Sequence, residues 1–291
     1  MWLELALDYR CNLRCVGCHA CFDDGASLSP SATRARLEQA RARGVTRLWL
    51  GGGEPTLRDD LLRVVATARS LGFTTLCLQT NGLRLAYPAY LDALLAAGVT
   101  EFRVNAKSHD AAVHDRLSGR DGAHALLVTA LGSLVARKQR VVADLLVTRS
   151  NGPALAETIR FFAGLGVSGF SLWWLSAVDD EVASAEVPRF ADLGHALTAA
   201  AETAQLLGVG LESLHTPPCV LPPPVRALYH PVSELALVVV EPQNRTFDLE
   251  RSPIEGGAYL PGCAGCSVRP RCLGPRADYI RLHGAAEFVP L

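Results

Sequence analysis

Along the first two-thirds of the chain, short apolar runs of strand length alternate with stretches whose apolar positions recur at helical spacing. "LELAL" (3–7) is followed, after a cysteine-rich segment, by a helical pattern over 31–43. "TRLWL" (46–50) runs into "GGGEP" and a helix over 58–70. "FTTLCLQ" (73–79) leads to "TNG" and a helix over 87–97. "EFRVNA" (101–106) precedes helical stretches near 110–117 and 123–138. "RVVADLLV" (140–147) precedes a helix over 153–164, and "SGFSLWW" (168–174) one over 188–207. Six β-then-α units in series predict an α/β fold with a parallel sheet and right-handed crossovers, a partial (β/α)6 barrel. Segments such as "AAGV" and "GLGV" fit glycine-capped helix ends before the next strand. Polar and glycine-rich signals gather after each strand, the end where barrel-type α/β folds carry their active sites.

A proline-rich break, "HTPPCVLPPPVR" (215–226), ends this rhythm, and "LALVVVEPQNRTFDL" (235–249) predicts a hairpin. The expected division is therefore a barrel over 1–214 and a small cysteine-rich extension over 215–291. At 291 residues, 49% hydrophobic and 20% charged, the chain can build ample core. A net charge of −1 gives no reason to expect a nucleic-acid or membrane-surface partner. No stretch has the length of a membrane span, and residues 1–8, "MWLELALD", lack the basic start of a signal peptide. The expected compartment is the cytoplasm, where thiols stay reduced, so nine cysteines argue for metal rather than bridges.

Cys11, Cys15 and Cys18 stand at C-x3-C-x2-C in the loop after the first strand. Three thiolates so spaced can hold three irons of a [4Fe–4S] cube and leave the fourth iron open. A zinc site is the alternative, with Cys21 or His19 as fourth ligand. A place at the mouth of a barrel, above glycine-rich loops, favours iron. The second group, "CAGCSVRPRC" (263–272), has C-x2-C-x5-C spacing, with Cys219 upstream as a fourth thiol. Zinc remains open there, because zinc ribbons also use C-x2-C. Cys77, among apolar residues in mid-strand, reads as a small hydrophobe.

With "CNLRCVGC" after the first strand and "GGGEPTL" (51–57) after the second, the chain resembles the radical S-adenosylmethionine superfamily. "QTNG" (79–82) and "FRVNAKSHDAAVHDRLSG" (102–119) are similar to segments of its branch with auxiliary clusters, in which a serine usually takes the place of Asn105. The C-terminal cysteines are similar to a shortened, Twitch-like version of that branch's SPASM region. The resemblance implies a catalytic [4Fe–4S] cluster on Cys11, Cys15 and Cys18, with S-adenosylmethionine on the open iron. It also implies reductive cleavage to a 5′-deoxyadenosyl radical that takes a hydrogen atom from substrate. Gly52 and Gly53 would let backbone approach the methionine ammonium, with Glu54 and Pro55 completing that loop. Asn105, Thr148 and Asn151 would reach the carboxylate and ribose, although Thr148 equally fits a strand-end cap. Cys219, Cys263, Cys266 and Cys272 would hold an auxiliary [4Fe–4S] cluster. Where the family often has an aromatic just before the third cysteine, this chain has Gly17, and His19 or Phe22 could replace it at the adenine. Cys21 reads as a spare thiol.

The activity so implied is oxidative modification of a peptide, by crosslinking or dehydrogenation, with a flavodoxin or ferredoxin as reductant. With the first expected barrel strand at the start of the sequence, the expectation is a protein without the winged-helix leader-binding domain common, though not universal, among peptide maturases. That leaves a small-molecule substrate (carbohydrate, nucleoside or cofactor precursor) as the alternative. A plain iron–sulfur electron carrier is a third class, against which the "GGGEP" loop speaks. His109, His114, Trp173, Trp174, Asp179 and Asp180 lie near predicted strand ends and are the substrate-contact candidates.

Overall fold

The computed structural model describes residues 1–18, 25–177, 181–213, 216–252 and 257–291. The expected βα units are present: β1 (Trp2–Ala6), α1 (Pro30–Ala42), β2 (Arg47–Gly51), α2 (Leu61–Ser70), β3 (Thr75–Thr80) and α3 (Pro88–Ala97). They continue with β4 (Glu101–Ala106), α4 (Ala111–Ser118), α5 (Ala123–Ala136), β5 (Val141–Val147), α6 (Leu155–Gly164) and β6 (Gly169–Trp174). Then follow α7 (Glu181–Glu186), α8 (Gly194–Leu207), β7 (Gly210–Ser213), α9 (Val232–Leu235), β8 (Leu237–Val240), β9 (Thr246–Asp248) and α10 (Ala277–His283).

These strands form one nine-stranded sheet in the order β7-β6-β5-β4-β3-β2-β1-β8-β9. Every pairing is parallel except β8 with β9, the expected hairpin. The sheet ends at β7 on one side and β9 on the other, so the barrel stays open. Two features lay outside the sequence pattern. A seventh strand, β7, extends the sheet beyond β6, and β8 runs parallel to β1 with Leu3 opposite Val238. The helix expected from 58 begins instead at Leu61, because Pro55–Leu57 forms a 3-10 turn capped by Glu54 and Arg58 is extended. The helix expected over 188–207 is shortened to α8, with a 3-10 turn at Ala191–Leu193 before it.

The strands alternate sharply. Leu3 and Leu5, Leu48 and Leu50, Leu76 and Leu78, Phe102 and Val104 join the main core with Leu37, Val65, Leu131 and Phe162 of the helices. Each fully buried leucine of this layer contributes about 2 kcal/mol through removal of apolar surface from water. The other face, turned away from the helices, carries Trp2, Trp49 and Cys77, which pack with Leu237 and Val239 of β8 into a separate small cluster. That cluster plugs the inner face near the strand starts. Further along, the inner positions are polar, which a sheet covered by helices on both faces would not tolerate.

Candidate functional site

The loop after β1 owes its shape to two backbone clamps. On one side, Gly53 N–H donates to the Asp8 carbonyl at 2.7 Å and Glu54 N–H to that of Arg10 at 2.8 Å. A Cβ on Gly53 would lie 2.3 Å from the Arg10 oxygen, and one on Gly52, which has φ +112°, 2.4 Å from the Asp8 oxygen. No side chain fits either gap. The glycines expected to admit the methionine ammonium thus have a prior task, contact with the cysteine loop's own backbone. On the other side, Arg14 N–H donates to Ser118 O and Val16 N–H to Leu117 O, both at 3.0 Å, at the end of α4. Gly119, at φ +65°, terminates that helix where a Cβ would meet Arg14 O at 2.4 Å. The loop is further pinned by Asp8, whose carboxylate accepts from Arg10 at 2.9 Å and lies 3.9 Å from buried Arg58.

Within this frame the three expected thiols gather on one loop. Cys11 Sγ accepts from Leu13 N–H at 3.4 Å and from Asn81 Nδ2 at 3.9 Å, and Cys18 N–H donates to Cys15 O at 3.2 Å. Cys11 lies at the surface, but its sulfur is half-shielded. That shielding, with smaller contributions from Glu54, Cys15 and Cys18, pushes its thiol up to about 11. Behind the loop sits Glu54, with no exposed surface. Its carboxylate accepts from Thr56 N–H (3.0 Å), Thr56 Oγ1 (2.5 Å), Thr80 Oγ1 (2.7 Å) and Asn81 N–H (2.7 Å). Burial pushes this carboxyl up, opposed by those four donors, which favour the ionised form. Asn81 in turn donates to Asn12 Oδ1 at 2.7 Å, so the end of β3 is tied to the cysteine loop through one side chain. Thr80 and Asn81 are the working residues of "QTNG", which the sequence singled out only as a string.

The remaining expected residues divide by strand parity. Asn105, on the inner face of β4, accepts from Lys107 Nζ. Thr148 and Asn151 clasp one another: Thr148 N–H donates to Asn151 Oδ1 at 2.7 Å, and Asn151 N–H to Thr148 Oγ1 at 3.2 Å. Both are buried, and the Asn151 amide is further used on Lys107 O and Leu146 O, each at 2.7 Å. This is the strand-end cap. His114 and Trp174, expected near substrate, are core residues. Trp174 shares the parity of Leu172 and faces the helices, stacked on Phe190 at 4.4 Å with Nε1 on Pro188 O. His114 packs edge-on against His124 at 5.3 Å, and burial, aided by Lys107 and His124, pushes it down to about 3. His109 is half-buried with Nδ1 3.2 Å from Thr158 Oγ1. Pro55 is buried at the start of the 3-10 turn. His19, Cys21, Phe22, Asp179 and Asp180 lie outside the described residues.

Gly17 explains its own departure from the aromatic pattern. Its φ is +67°, and a Cβ there would lie 2.3 Å from Leu175 Cδ1. An aromatic side chain has neither the backbone conformation nor the room.

A polar belt across the inner face escaped the sequence reading. Asp144 of β5 accepts from Arg103 Nε of β4 at 2.9 Å, Gln79 Nε2 of β3 at 2.9 Å and Trp173 Nε1 of β6 at 3.3 Å. Gln79 Oε1 accepts from Trp49 Nε1 of β2, and Arg103 also lies over the Trp49 ring at 4.9 Å. Five neighbouring strands are thus cross-tied on the inner face. The signal was present in "EFRVNA" and "VVADLLV", where charged or amide side chains occupy every inner position or interrupt an apolar strand.

At the other end of the chain, Cys219, Cys263, Cys266 and Cys272 line one small pocket, walled by Pro217, Val268, Pro275 and Phe288. Cys272 Sγ accepts from Gly274 N–H at 3.3 Å, and Tyr259 OH donates to Cys272 O at 2.7 Å. Burial, reinforced by the other three thiols, pushes Cys219 up to about 11. Backbone N–H groups, those of Leu291 and Val268 foremost, hold Cys266 below the usual thiol range. Among the described residues, no three metal-ligating side chains sit close enough to share a single ion.

The Radical SAM superfamily model matches residues 8–162, just over half of the chain, spanning both clamps and the first five strands but one. The chain belongs to the radical S-adenosylmethionine superfamily. Its fold is similar to that of Streptococcus suis SuiB bound to S-adenosylmethionine, with a TM-score of 0.72 at 14% identity over 100% of this chain and 76% of that one. It is also similar to anSMEcpe with bound AdoMet and the Cp18Cys peptide, with a TM-score of 0.67 at 12% identity over 99% of this chain and 92% of that one. Membership in this superfamily implies a [4Fe–4S] cluster and S-adenosylmethionine. The thiols present fit the cluster. Cys11, Cys15 and Cys18 offer three thiols and an N–H donor set aimed at sulfur, the kind of contact that tunes such clusters. No helix among the described residues is long and apolar enough to cross a membrane.

Proposed function

We propose that this radical S-adenosylmethionine enzyme carries out an oxidative modification of a peptide, a crosslink or a dehydrogenation. In this reading Cys219, Cys263, Cys266 and Cys272 hold an auxiliary [4Fe–4S] cluster, within the region 215–291, that accepts the electron left on substrate. The observation that carries the reading is the presence of two separate thiol sets of different kind. One has three thiols on a loop clamped by "GGGEP" and α4; the other has four around one cavity. Three thiols leave a metal position for a co-substrate, whereas four close it, which suits electron transfer.

Held by Cys11, Cys15 and Cys18, a [4Fe–4S] cluster would supply the electron for cleavage of S-adenosylmethionine and hydrogen abstraction. The chain's own residues provide the frame. Glu54 and Asn81 hold the cysteine loop over the inner face, and Gly52, Gly53 and Pro55 shape the loop that meets the methionine end. Asn105, at the end of β4, would contact the carboxylate, and the backbone held by the Thr148–Asn151 clasp would face the ribose. A reductant such as flavodoxin or ferredoxin would deliver the electron. Peptide is favoured as substrate because SuiB has been seen with its precursor peptide SuiA and anSMEcpe with the Cp18Cys peptide, on the same fold.

Anaerobically reconstituted protein given dithionite should convert S-adenosylmethionine to 5′-deoxyadenosine and methionine. Replacement of Cys11, Cys15 and Cys18 by alanine should abolish this. Undiminished turnover in that variant would remove the assignment.

A further inference from the structure

The two thiol sets are far apart in sequence, but a short bridge of described residues joins them. Arg276 lies four positions after Cys272 and is 6% exposed. Its guanidinium donates from Nη1 to Trp174 O at 2.8 Å and from Nη2 to Leu175 O at 3.0 Å. Asp278 accepts from Arg276 Nε at 3.0 Å and, through its other oxygen, from Ala177 N–H at 2.8 Å. Together the pair grips three of the four residues Trp174–Ala177, where the chain leaves β6. Leu175, fully buried, is the residue whose side chain fills the space over Gly17, between Cys15 and Cys18. Gly17 has no side chain with which to anchor itself. The seat of the third cysteine is therefore set by Leu175, and the seat of Leu175 by a fork that belongs to the C-terminal region.

We propose that Arg276, with Asp278, is a positioning residue that couples the C-terminal thiol site to the N-terminal cysteine loop through Leu175 and Gly17. The proposal rests on the reading that both thiol sets hold clusters. A fork bidentate to two successive carbonyls fixes direction as well as distance, which a lysine cannot reproduce. Order at the C-terminal site is thereby passed to Cys18, which lies next to Gly17 in the chain, and disorder there is passed on equally.

The test is hydrogen exchange on the full chain, metal-free and reconstituted, read at the amides of Arg14, Val16 and Cys18. It is accompanied by the electron paramagnetic resonance change of the reduced protein on adding S-adenosylmethionine. Arg276→Met should speed exchange at these amides by about tenfold or more, as expected for local opening below the global limit. It should also alter the cofactor-induced spectrum. Arg276→Lys should fall between Met and wild type. Wild-type exchange and spectrum in Arg276→Met, with iron retained, would overturn the proposal. So would loss of C-terminal iron with an unchanged N-terminal loop. If Arg276→Met does not fold, Asp278→Asn carries the same test, with a smaller acceleration expected and none overturning the coupling. A failure of the cluster reading is distinguishable, since it shows as wild-type protein without iron–sulfur absorbance, while exchange in the metal-free chain still reads the clamp.

Discussion

The two thiol sites are built on opposite plans. The N-terminal loop is held by backbone: carbonyls of Asp8, Arg10, Ser118 and Leu117 meet amides across gaps that three glycines keep open. A buried carboxylate and an asparagine fasten it from behind. The C-terminal cavity is framed instead by prolines, a phenylalanine and two tyrosine hydroxyls, on short 3-10 turns with little regular structure. A site that must admit a ligand at an open iron needs a frame rigid without the metal. A site closed by four thiolates can take much of its order from the metal itself.

That contrast gives the largest expected effect. Gly53→Val puts a branched side chain where a Cβ already meets Arg10 O at 2.3 Å. It should abolish the cofactor-induced resonance change and 5′-deoxyadenosine formation, while leaving the C-terminal absorbance in place. A wild-type response in that variant would mean the backbone clamp does not hold the N-terminal site. Next comes the polar belt. Asp144→Ala strands the largely buried Arg103 guanidinium and should cost about 3–5 kcal/mol of stability, measured by denaturant unfolding. Glu54→Gln turns one acceptor oxygen into a donor facing donors. A cost of about 1–3 kcal/mol is expected, with weakened N-terminal iron retention but unchanged C-terminal iron.

Much of this was readable before the fold. The six strands from β1 to β6 begin and end within about two residues of the expected runs, because strand parity against helix period is a local signal. The partners of β8 are not local, and nothing in "LALVVV" announces that it lies beside β1. β7 has four residues and only Ser213 fully buried, too little pattern to stand out. Cysteine spacing carried the thiol sets, since ligand spacing survives in sequence. His114 and Trp174 were misjudged because nearness to a strand end says nothing about which face a side chain takes. Parity with Leu172 would have put Trp174 in the core. Arg103 and Asp144 were hidden by the opposite habit, that of treating strand interiors as packing alone.

A smaller effect separates the core from the site. His114 is held near 3 when folded against 6.5 for the ordinary side chain. The unfolded chain therefore gains a proton first as pH falls. Stability is complete above about 6.5 and declines toward pH 3, with a limiting slope of about 1.4 kcal/mol per pH unit. Unfolding at pH 7 and pH 5 should show the loss, and His114→Gln should flatten it; an unchanged slope would place the titration elsewhere. Smallest of all is Cys219→Ala, which should leave folding intact and make only the C-terminal metal labile to chelator.

The central proposal is that the chain's two separate thiol sites, of different construction, each hold an iron–sulfur cluster. Metal analysis and absorbance of the Cys11→Ala, Cys15→Ala, Cys18→Ala triple variant test it most directly. About four irons per chain, with the broad absorbance of an iron–sulfur cube, are expected, because the C-terminal thiols form a complete set. A colourless variant holding one zinc would contradict the claim and remove the electron acceptor on which an oxidative reaction depends.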